Sequence, residues 1–181
     1  MGSVREPLRV KPICAVTFRD GIETSLILRD LEKVFGPVED RSPVYDFRFT
    51  RYYEAEMGTD LKKIFFSFSH LADPESLSAM KIRAHAIEEA WSEKGRRKIN
   101  LDPGYITGGK LVLASTKDFS HRIYLDKGIY GDVQLRFVRG QFLVSEWTYP
   151  DYRTELALAF FHKARSRFVQ QEKEHERIPQ L

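Results

Sequence analysis

Cysteine is nearly absent from this sequence, because Cys14 is the only one among 181 residues. A single cysteine cannot form an internal disulfide, so a core must hold the chain together, as it can at this length. Proteins without disulfides are typical of the reducing cytosol. Cys14 lies in the apolar run at residues 13–16, which favours a small buried side chain over a nucleophile. These features predict a cytoplasmic protein.

Long apolar runs are also lacking. No run in the sequence approaches the roughly 20 residues that a membrane-spanning helix needs. Residues 1–12 have no apolar segment of the kind found in secretory signals, and Glu6 stands where a myristoylation signal requires serine or threonine. We therefore expect no membrane association.

Several catalytic and binding motifs are missing as well. The Gly108-Gly109-Lys110 sequence lacks the first glycine and the following hydroxyl of a phosphate loop. Thr116-Lys117-Asp118 lacks the residue that separates lysine from aspartate in the guanine-binding element of GTPases. The five histidines have no metal-ligand spacing, and no nucleophile elbow is present. A P-loop GTPase is thereby excluded, and the sequence gives little support for a histidine metal site and none for nucleophilic catalysis.

The net charge is only +3, but the charges are unevenly distributed. Residues 94–127 contain eight basic side chains and three acidic ones, so the rest of the chain is slightly acidic. A local positive field favours an anionic partner. The alternative is a solvated basic edge strand without a ligand.

The first half of the chain alternates strand and helix patterns. Apolar runs and alternation predict strands at residues 13–18, 44–49, 63–68 and 98–101. Helical spacing and end signals predict helices at residues 20–35 and 73–95, the second with Leu77, Met80 and Ala84 on its buried face. The resulting β-α-β-β-α-β order is typical of ferredoxin-like folds.

The second half is rich in strands. Strands are predicted at residues 110–115, 122–125, 129–138 and 141–144, followed by a C-terminal helix that begins at Thr154. We therefore expect an α+β fold with a ferredoxin-like first half and a strand-rich second half. The chain is interpreted as one domain, residues 1–181, with flexible ends at 1–11 and 170–181.

Asp102 is one candidate functional residue. The sequence Asp102-Pro103-Gly104 follows a predicted strand and is typical of a turn, which would place this carboxylate at a strand end. There it could accept hydrogen bonds from a ligand. With Asp46 or Asp132 it could also hold a divalent cation such as Mg²⁺. The alternative is that the Asp102 side chain only bonds to the backbone of the turn.

A second candidate site lies between Lys110 and Tyr124. Lys117 and Arg122 supply positive charge, and His121 can transfer protons near neutral pH. Thr116 adds a hydroxyl, and Lys110 and Tyr124 complete the predicted ligand-binding residues. The alternative is a surface histidine and an arginine paired with Asp118 or Asp126.

Several short motifs together resemble an uncharacterised prokaryotic family, domain of unknown function 4416. They are the tyrosine pair at 52–53 and the segments at 102–105, 116–118, 121–125, 128–130 and 147–153. The resemblance extends from about residue 11 to residue 168. Arg51 precedes the tyrosine pair where the family pattern has aspartate. The resemblance implies a bacterial or archaeal cytosolic protein and no particular activity.

These observations predict a protein that binds a small anionic ligand, either phosphorylated or nucleotide-like. If it is an enzyme, phosphoester hydrolysis or transfer fits best, with His121 as general acid or base and Asp102 as an acceptor or metal contact at the catalytic site. Lys117 and Arg122 would then stabilise the developing charge. The alternative function is a non-catalytic RNA- or protein-binding module. The sequence indicates neither a specific cofactor nor an oligomeric state.

Overall fold

One antiparallel sheet of nine strands organises the part of the chain that the structure describes. The structure is a computed structural model covering residues 2–177, with side chains described as far as residue 174. The strands are β1 (Lys11–Arg19), β2 (Val38–Arg41), β3 (Tyr45–Asp46), β4 (Leu61–Phe68), β5 (Ile99–Ile106), β6 (Lys110–Ser115), β7 (Arg122–Asp126), β8 (Ile129–Val138) and β9 (Gln141–Val144).

The order of strands across the sheet is β2-β4-β1-β5-β6-β8-β7, with β3 also pairing with β4 and β9 with β8. Strand β1 lies in the middle of the first half, where it pairs with β4 over residues 13–19 and with β5 over residues 11–18. The second half extends the same sheet beyond β5. Both halves therefore share one sheet.

Helices cover both faces of this sheet. They are α1 (Thr24–Phe35), α2 (Glu54–Met57), α3 (Leu77–Ala90) and α4 (Glu155–Arg177). Helices α1 and α3 pack on the face that carries Cys14 and Val16. Helix α4 packs on the opposite face, against Ala15 and Phe65. Because successive residues of a strand point to opposite faces, β1 must be apolar at each of these positions.

The helix contacts follow the predicted apolar spacing. Leu77, Met80 and Ala84 of α3 are buried. Helix α1 ends at Phe35, as Gly36 and Pro37 predict. Gly36 has a φ of +83°, a backbone conformation that residues with a side chain rarely adopt. Within residues 2–177, no helix has both the length and the apolar composition that a bilayer span requires.

The predicted α+β class is confirmed, and some element boundaries differ. The strand expected at 44–49 is reduced to Tyr45–Asp46, and β2 was not predicted. The turn predicted at residues 102–104 is wrong: Asp102 and Pro103 lie inside β5, opposite Ala15 and Cys14 of β1. Pairing with the central strand overrides the local turn signal. Helix α4 continues to residue 177, and residues 178–181 of the predicted flexible end lie outside the described residues.

Candidate functional site

The sheet opens between β5 and β6. Strand β5 pairs with β1 over residues 99–106, but with β6 only over residues 104–106. Pro103, at the boundary, has no N–H to donate to a neighbouring strand. Strand β6 continues to pair with β8 as far as Ser115. The two strands thus separate on the N-terminal side of Gly104, along residues 99–103 of β5, and leave a crevice between them.

Two charged side chains of α3 replace the missing strand beside β5. The Leu101 N–H donates to Oε1 of Glu88 at 2.6 Å, and Nζ of Lys81 donates to the Leu101 carbonyl oxygen at 2.7 Å. Both side chains are buried. A buried backbone group without a partner costs free energy, so these bonds stabilise the open arrangement. The crevice is therefore part of the folded architecture.

A cavity of about 520 Å³ occupies the crevice. This volume lies in the range of pockets for small ligands. The side chains with charges or hydroxyl groups that line it include Lys63, Lys81, Arg97, Asp102, Ser115, Thr116, Lys117, Arg122 and Asp151. The aromatic residues that line it are Phe47, Phe49, Tyr52, Tyr53, Phe119 and Tyr149. Polar groups and flat apolar surfaces are thus combined in one cavity.

Lys63 and Asp151 form a buried ion pair in the cavity wall. Nζ of Lys63 lies 2.6 Å from Oδ2 of Asp151, and both side chains are almost fully buried. The same ammonium group lies over the rings of Phe47 and Tyr152, at 4.8 and 5.2 Å from their centroids. Tyr45 contacts Asp151 through its hydroxyl at 3.5 Å. This pair joins β4 to the segment that precedes α4.

Arg122 connects the end of β6 to the opposite wall. Its Nε donates to Oδ2 of Asp132 at 2.7 Å. Nη1 donates to Oγ of Ser115 at 2.6 Å and to the Lys117 carbonyl oxygen at 3.0 Å, and Nη2 donates to the Tyr149 hydroxyl at 3.1 Å. Arg122 is buried and its donors are largely used by the protein itself. It therefore positions the loop that carries Lys117.

Lys117 provides the cation at the mouth of the cavity. Its Nζ lies over the Tyr52 ring, 4.0 Å from the centroid. Lys117 and the neighbouring Thr116 are exposed. Among the described residues, Lys117 forms no ion pair. Its charge is therefore accessible to an anion that enters the crevice.

Asp102 provides an acceptor inside the cavity. Its Oδ2 accepts a hydrogen bond from Nδ2 of Asn100 at 3.0 Å, and its Oδ1 lies 3.7 Å from Nζ of Lys81. The Asp102 side chain is 17% exposed. Burial, followed by the charge of Asp102, raises the pKa values of Tyr53 and Tyr149 well above the ordinary tyrosine range. Both phenols stay protonated and can donate.

Arg97 links the segment of α2 to the crevice. Its Nε and Nη2 donate to the two carboxylate oxygens of Glu56 at 2.6 and 2.7 Å. Its Nη1 donates to Glu88 and to Oδ1 of Asn100, both at 3.1 Å. The hydrogen bonds to Glu56 raise the pKa of Arg97 further. These contacts hold the segment with Tyr53 beside the cavity.

Only some of the predicted site residues lie at the cavity. Asp102, Thr116, Lys117 and Arg122 line it, whereas three others do not. Lys110 is exposed at the opposite end of β6, paired with Arg136 of β8. Tyr124 is exposed on β7 and contacts the ring of Tyr130. His121 stacks on Trp147 with a centroid distance of 5.0 Å, and its Nε2 lies 3.6 Å from Asp132.

The acidic residues named for a divalent cation have other partners. Asp132 is bound by Arg122, while Asp46 lies near Lys62 and Arg48. In the part of the chain that the structure describes, no group of three or more histidine, cysteine or acidic residues is arranged to hold a metal ion. Arg122 was expected to pair with Asp118 or Asp126 if it had no ligand, and the structure pairs it with Asp132 instead.

Several polar residues of the site were not among those predicted from sequence, including Lys63, Lys81 and Asp151. One signal was present in the helix pattern, because Lys81 follows Leu77 by four residues and Glu88 follows Ala84 by four. Charged residues at positions of a buried stripe require buried partners. Lys63 and Asp151 bind each other across 88 residues of sequence, so no local pattern could pair them.

Comparison with known proteins gives one match. Residues 8–168 match the family described as domain of unknown function (DUF4416). No curated protein matches the chain, and no solved structure matches it. The predicted resemblance to this family is confirmed, and the match covers most of the chain.

Proposed function

Because the chain belongs to the DUF4416 family, whose description assigns no activity, we propose a function from its crevice: binding of a small phosphorylated ligand between β5 and β6. The observation that carries the proposal is the 520 Å³ cavity at the point where the sheet opens, with Lys81, Lys117 and Arg122 in its lining. Cations and polar donors in a concave site suit an anion.

Lys117 is the group that would contact the phosphate. It is exposed at the mouth, whereas the buried Lys81 donates to the Leu101 carbonyl at 2.7 Å and lies 3.7 Å from Asp102. Arg122 acts indirectly, because its hydrogen bonds to Ser115 and to the Lys117 carbonyl fix the loop. Arg122 is therefore a positioning residue in this proposal.

The predicted general acid or base does not lie in the cavity, so we propose binding and not the predicted catalysis. His121, the predicted general acid or base, is stacked on Trp147 and is not part of the cavity lining. Asp102 is the carboxylate that both lines the cavity and remains partly exposed. We assign it the role of an acceptor for ligand hydroxyl or amino groups.

The ferredoxin-like arrangement of the first half is part of the proposal. It is supported by the strand order β2-β4-β1-β5 and by the position of α1 and α3 on one face of the sheet. Strand β3 and helix α2 are then an insertion between β2 and β4. That insertion supplies the tyrosines at the mouth of the cavity.

A cytoplasmic location is also proposed. Cys14 is a free, buried cysteine, and burial raises the pKa of its thiol. A chain that relies on its core and not on disulfides suits a reducing compartment.

Thermal unfolding with a ligand panel tests the proposed function. The panel contains nucleotides, sugar phosphates and carboxylates, each with and without Mg²⁺. A ligand at 100 times its Kd adds about 2.7 kcal/mol to the free energy of unfolding. For a chain of this size, that stabilisation raises Tm by roughly 5–10 °C. We expect such a shift with a phosphorylated compound.

Matched lysine variants locate the site. Lys117→Ala should abolish the shift, because it removes the accessible cation at the mouth. Lys110→Ala should retain it, since Lys110 is also exposed but lies at the other end of β6. A panel without any shift, or equal effects of the two variants, would reject the proposal and favour the RNA- or protein-binding alternative. RNA binding would then show a steep dependence on salt.

A further inference from the structure

We propose that the phosphorylated ligand is a nucleotide whose base stacks on an aromatic rim at the mouth of the crevice. This inference rests on the proposed function and names the class of ligand. The aromatic rim consists of Phe49, Tyr52 and Phe119, which are 39%, 61% and 51% exposed and all line the cavity. Two separate segments, one before α2 and one between β6 and β7, supply these rings.

The exposed rings of the rim do not pack in the protein core, so their exposed surface is available to stack on a ligand. By contrast, core aromatic residues such as Phe65 and Phe66 are at most 1% exposed. Rings left in water at a cavity mouth retain apolar surface that a flat ligand can cover. A base stacked on an aromatic side chain raises affinity by about tenfold or more. The rim therefore favours a nucleotide over a sugar phosphate, which has no base to stack on the rings.

The cations of the site lie close to these rings. Nζ of Lys117 is 4.0 Å from the centroid of Tyr52, and Cζ of Arg122 is 4.6 Å from that of Phe119. A nucleotide presents a flat base and an anionic phosphate within one small molecule. The rim with Lys117 matches both parts: the rings stack on the base, and the ammonium group donates hydrogen bonds to the phosphate oxygens.

The interior of the cavity also discriminates against a bare anion. Asp102 carries negative charge and would repel a phosphate placed next to it. As a carboxylate it can only accept hydrogen bonds, so it suits the hydroxyl groups of a ribose or the amino group of a base. The cavity thus combines a cationic mouth with an acceptor inside. A ligand with one anionic end and a neutral part rich in donors fits this pattern.

Calorimetric titration with matched compounds tests this inference. The compounds are the four common nucleoside monophosphates, ribose 5-phosphate and inorganic phosphate. We expect at least one nucleoside monophosphate to bind about tenfold or more tightly than ribose 5-phosphate. Tyr52→Leu and Phe119→Leu should lower its affinity by about tenfold and leave ribose 5-phosphate binding unchanged. Tyr124→Leu, at an exposed ring outside the cavity, is the control and should change neither affinity.

The outcomes separate this inference from the proposed function. If ribose 5-phosphate binds as tightly as every nucleotide and the rim variants have no effect, the nucleotide inference is overturned and the phosphorylated ligand stands. If none of the phosphorylated compounds binds, the proposed function itself fails. Binding of a single-stranded RNA oligomer without binding of any monophosphate would also overturn the inference, in favour of an RNA surface.

Discussion

The two long sides of strand β5 differ in what they meet. On one side, β5 pairs with β1 along residues 99–106, and the layers above and below this region are apolar. On the other side, it pairs with β6 only at residues 104–106, and buried charged groups take the place of a strand. The closed side is held by backbone pairing and apolar packing, whereas the open side depends on side-chain hydrogen bonds and ion pairs.

The open side shows how a sheet can carry a cavity without losing its core. Each buried charge around the crevice has a partner: Lys63 has Asp151, Arg122 has Asp132, and Glu88 has Arg97. Unpaired charges at these positions would be costly, since burial removes their hydration. The polar groups thus maintain the opening and also shape what can bind in it.

The largest expected effect comes from breaking a buried ion pair at the open side. Asp151→Ala leaves the Lys63 ammonium buried without its carboxylate, which should lower the free energy of unfolding by about 3–5 kcal/mol. This loss equals that expected for Phe65→Ala in the core of the closed side, about 3–5 kcal/mol. Denaturant unfolding measures both.

A neighbouring pair provides the control for that experiment. Lys62 and Asp46 lie 2.6 Å apart on the surface, so Asp46→Ala should cost far less than Asp151→Ala. The double variant Lys63→Met with Asp151→Leu should recover much of the stability, because no unpaired charge remains. Equal losses from Asp151→Ala and Asp46→Ala would contradict the difference between buried and exposed pairs.

A smaller loss of stability is expected when the Glu88 side chain, which binds β5 where a neighbouring strand is missing, is removed. Glu88→Met leaves the buried Leu101 N–H without an acceptor, which should cost about 1–3 kcal/mol. Glu88→Gln keeps an acceptor oxygen and should cost less. Glu89→Met, at the next and exposed position of α3, is the matched control for helix propensity. If Glu88→Met were no worse than Glu89→Met in denaturant unfolding, β5 would not need this hydrogen bond.

Alkaline pH should lower the free energy of unfolding through the tyrosines at the open side. The effect of each tyrosine is the smallest of the predicted effects. Burial raises the pKa values of Tyr45, Tyr53, Tyr149 and Tyr152 around the crevice. Below about pH 10 these tyrosines are protonated in both folded and unfolded chains, so they do not change stability there. Above it, the unfolded chain loses protons first, and each tyrosine costs up to about 1.4 kcal/mol per pH unit.

Single tyrosine variants check this dependence on pH. Tyr53→Phe should reduce the loss of stability between pH 10 and pH 11 by about 1 kcal/mol, while the exposed Tyr124→Phe serves as the comparison. Stability that stays level over this range, or an identical slope in both variants, would show that the tyrosines ionise freely in the folded protein.

The closed side was the easier part to predict from sequence. The apolar run at 13–16 and the spacing of Leu77, Met80 and Ala84 depend on periodicities of strand and helix that a short window contains. The α+β class follows from such local patterns. Strand β2 and the length of β3 were harder, because β2 carries charged residues and both depend on pairing with β4.

The open side could not be predicted, because it results from contacts between distant residues. Asp102, Pro103 and Gly104 read locally as a turn, yet β1 holds them in an extended strand. The same proline then ends the pairing with β6. Lys117 and Asp102 could be named as candidates from their residue types. Their common cavity depends on how far β5 and β6 diverge, which no short pattern encodes.

The most direct test of ligand binding in the crevice is to locate the bound ligand by amide chemical shifts in a titration with the tightest-binding nucleoside monophosphate. We predict shifts concentrated at Tyr52, at residues 100–102 and at residues 115–119, with Lys110 and Tyr124 unaffected. Shifts centred elsewhere, for example on a second cavity lined by Ile22, Leu26 and Trp91, or saturable binding without any change at the crevice, would contradict binding in the crevice.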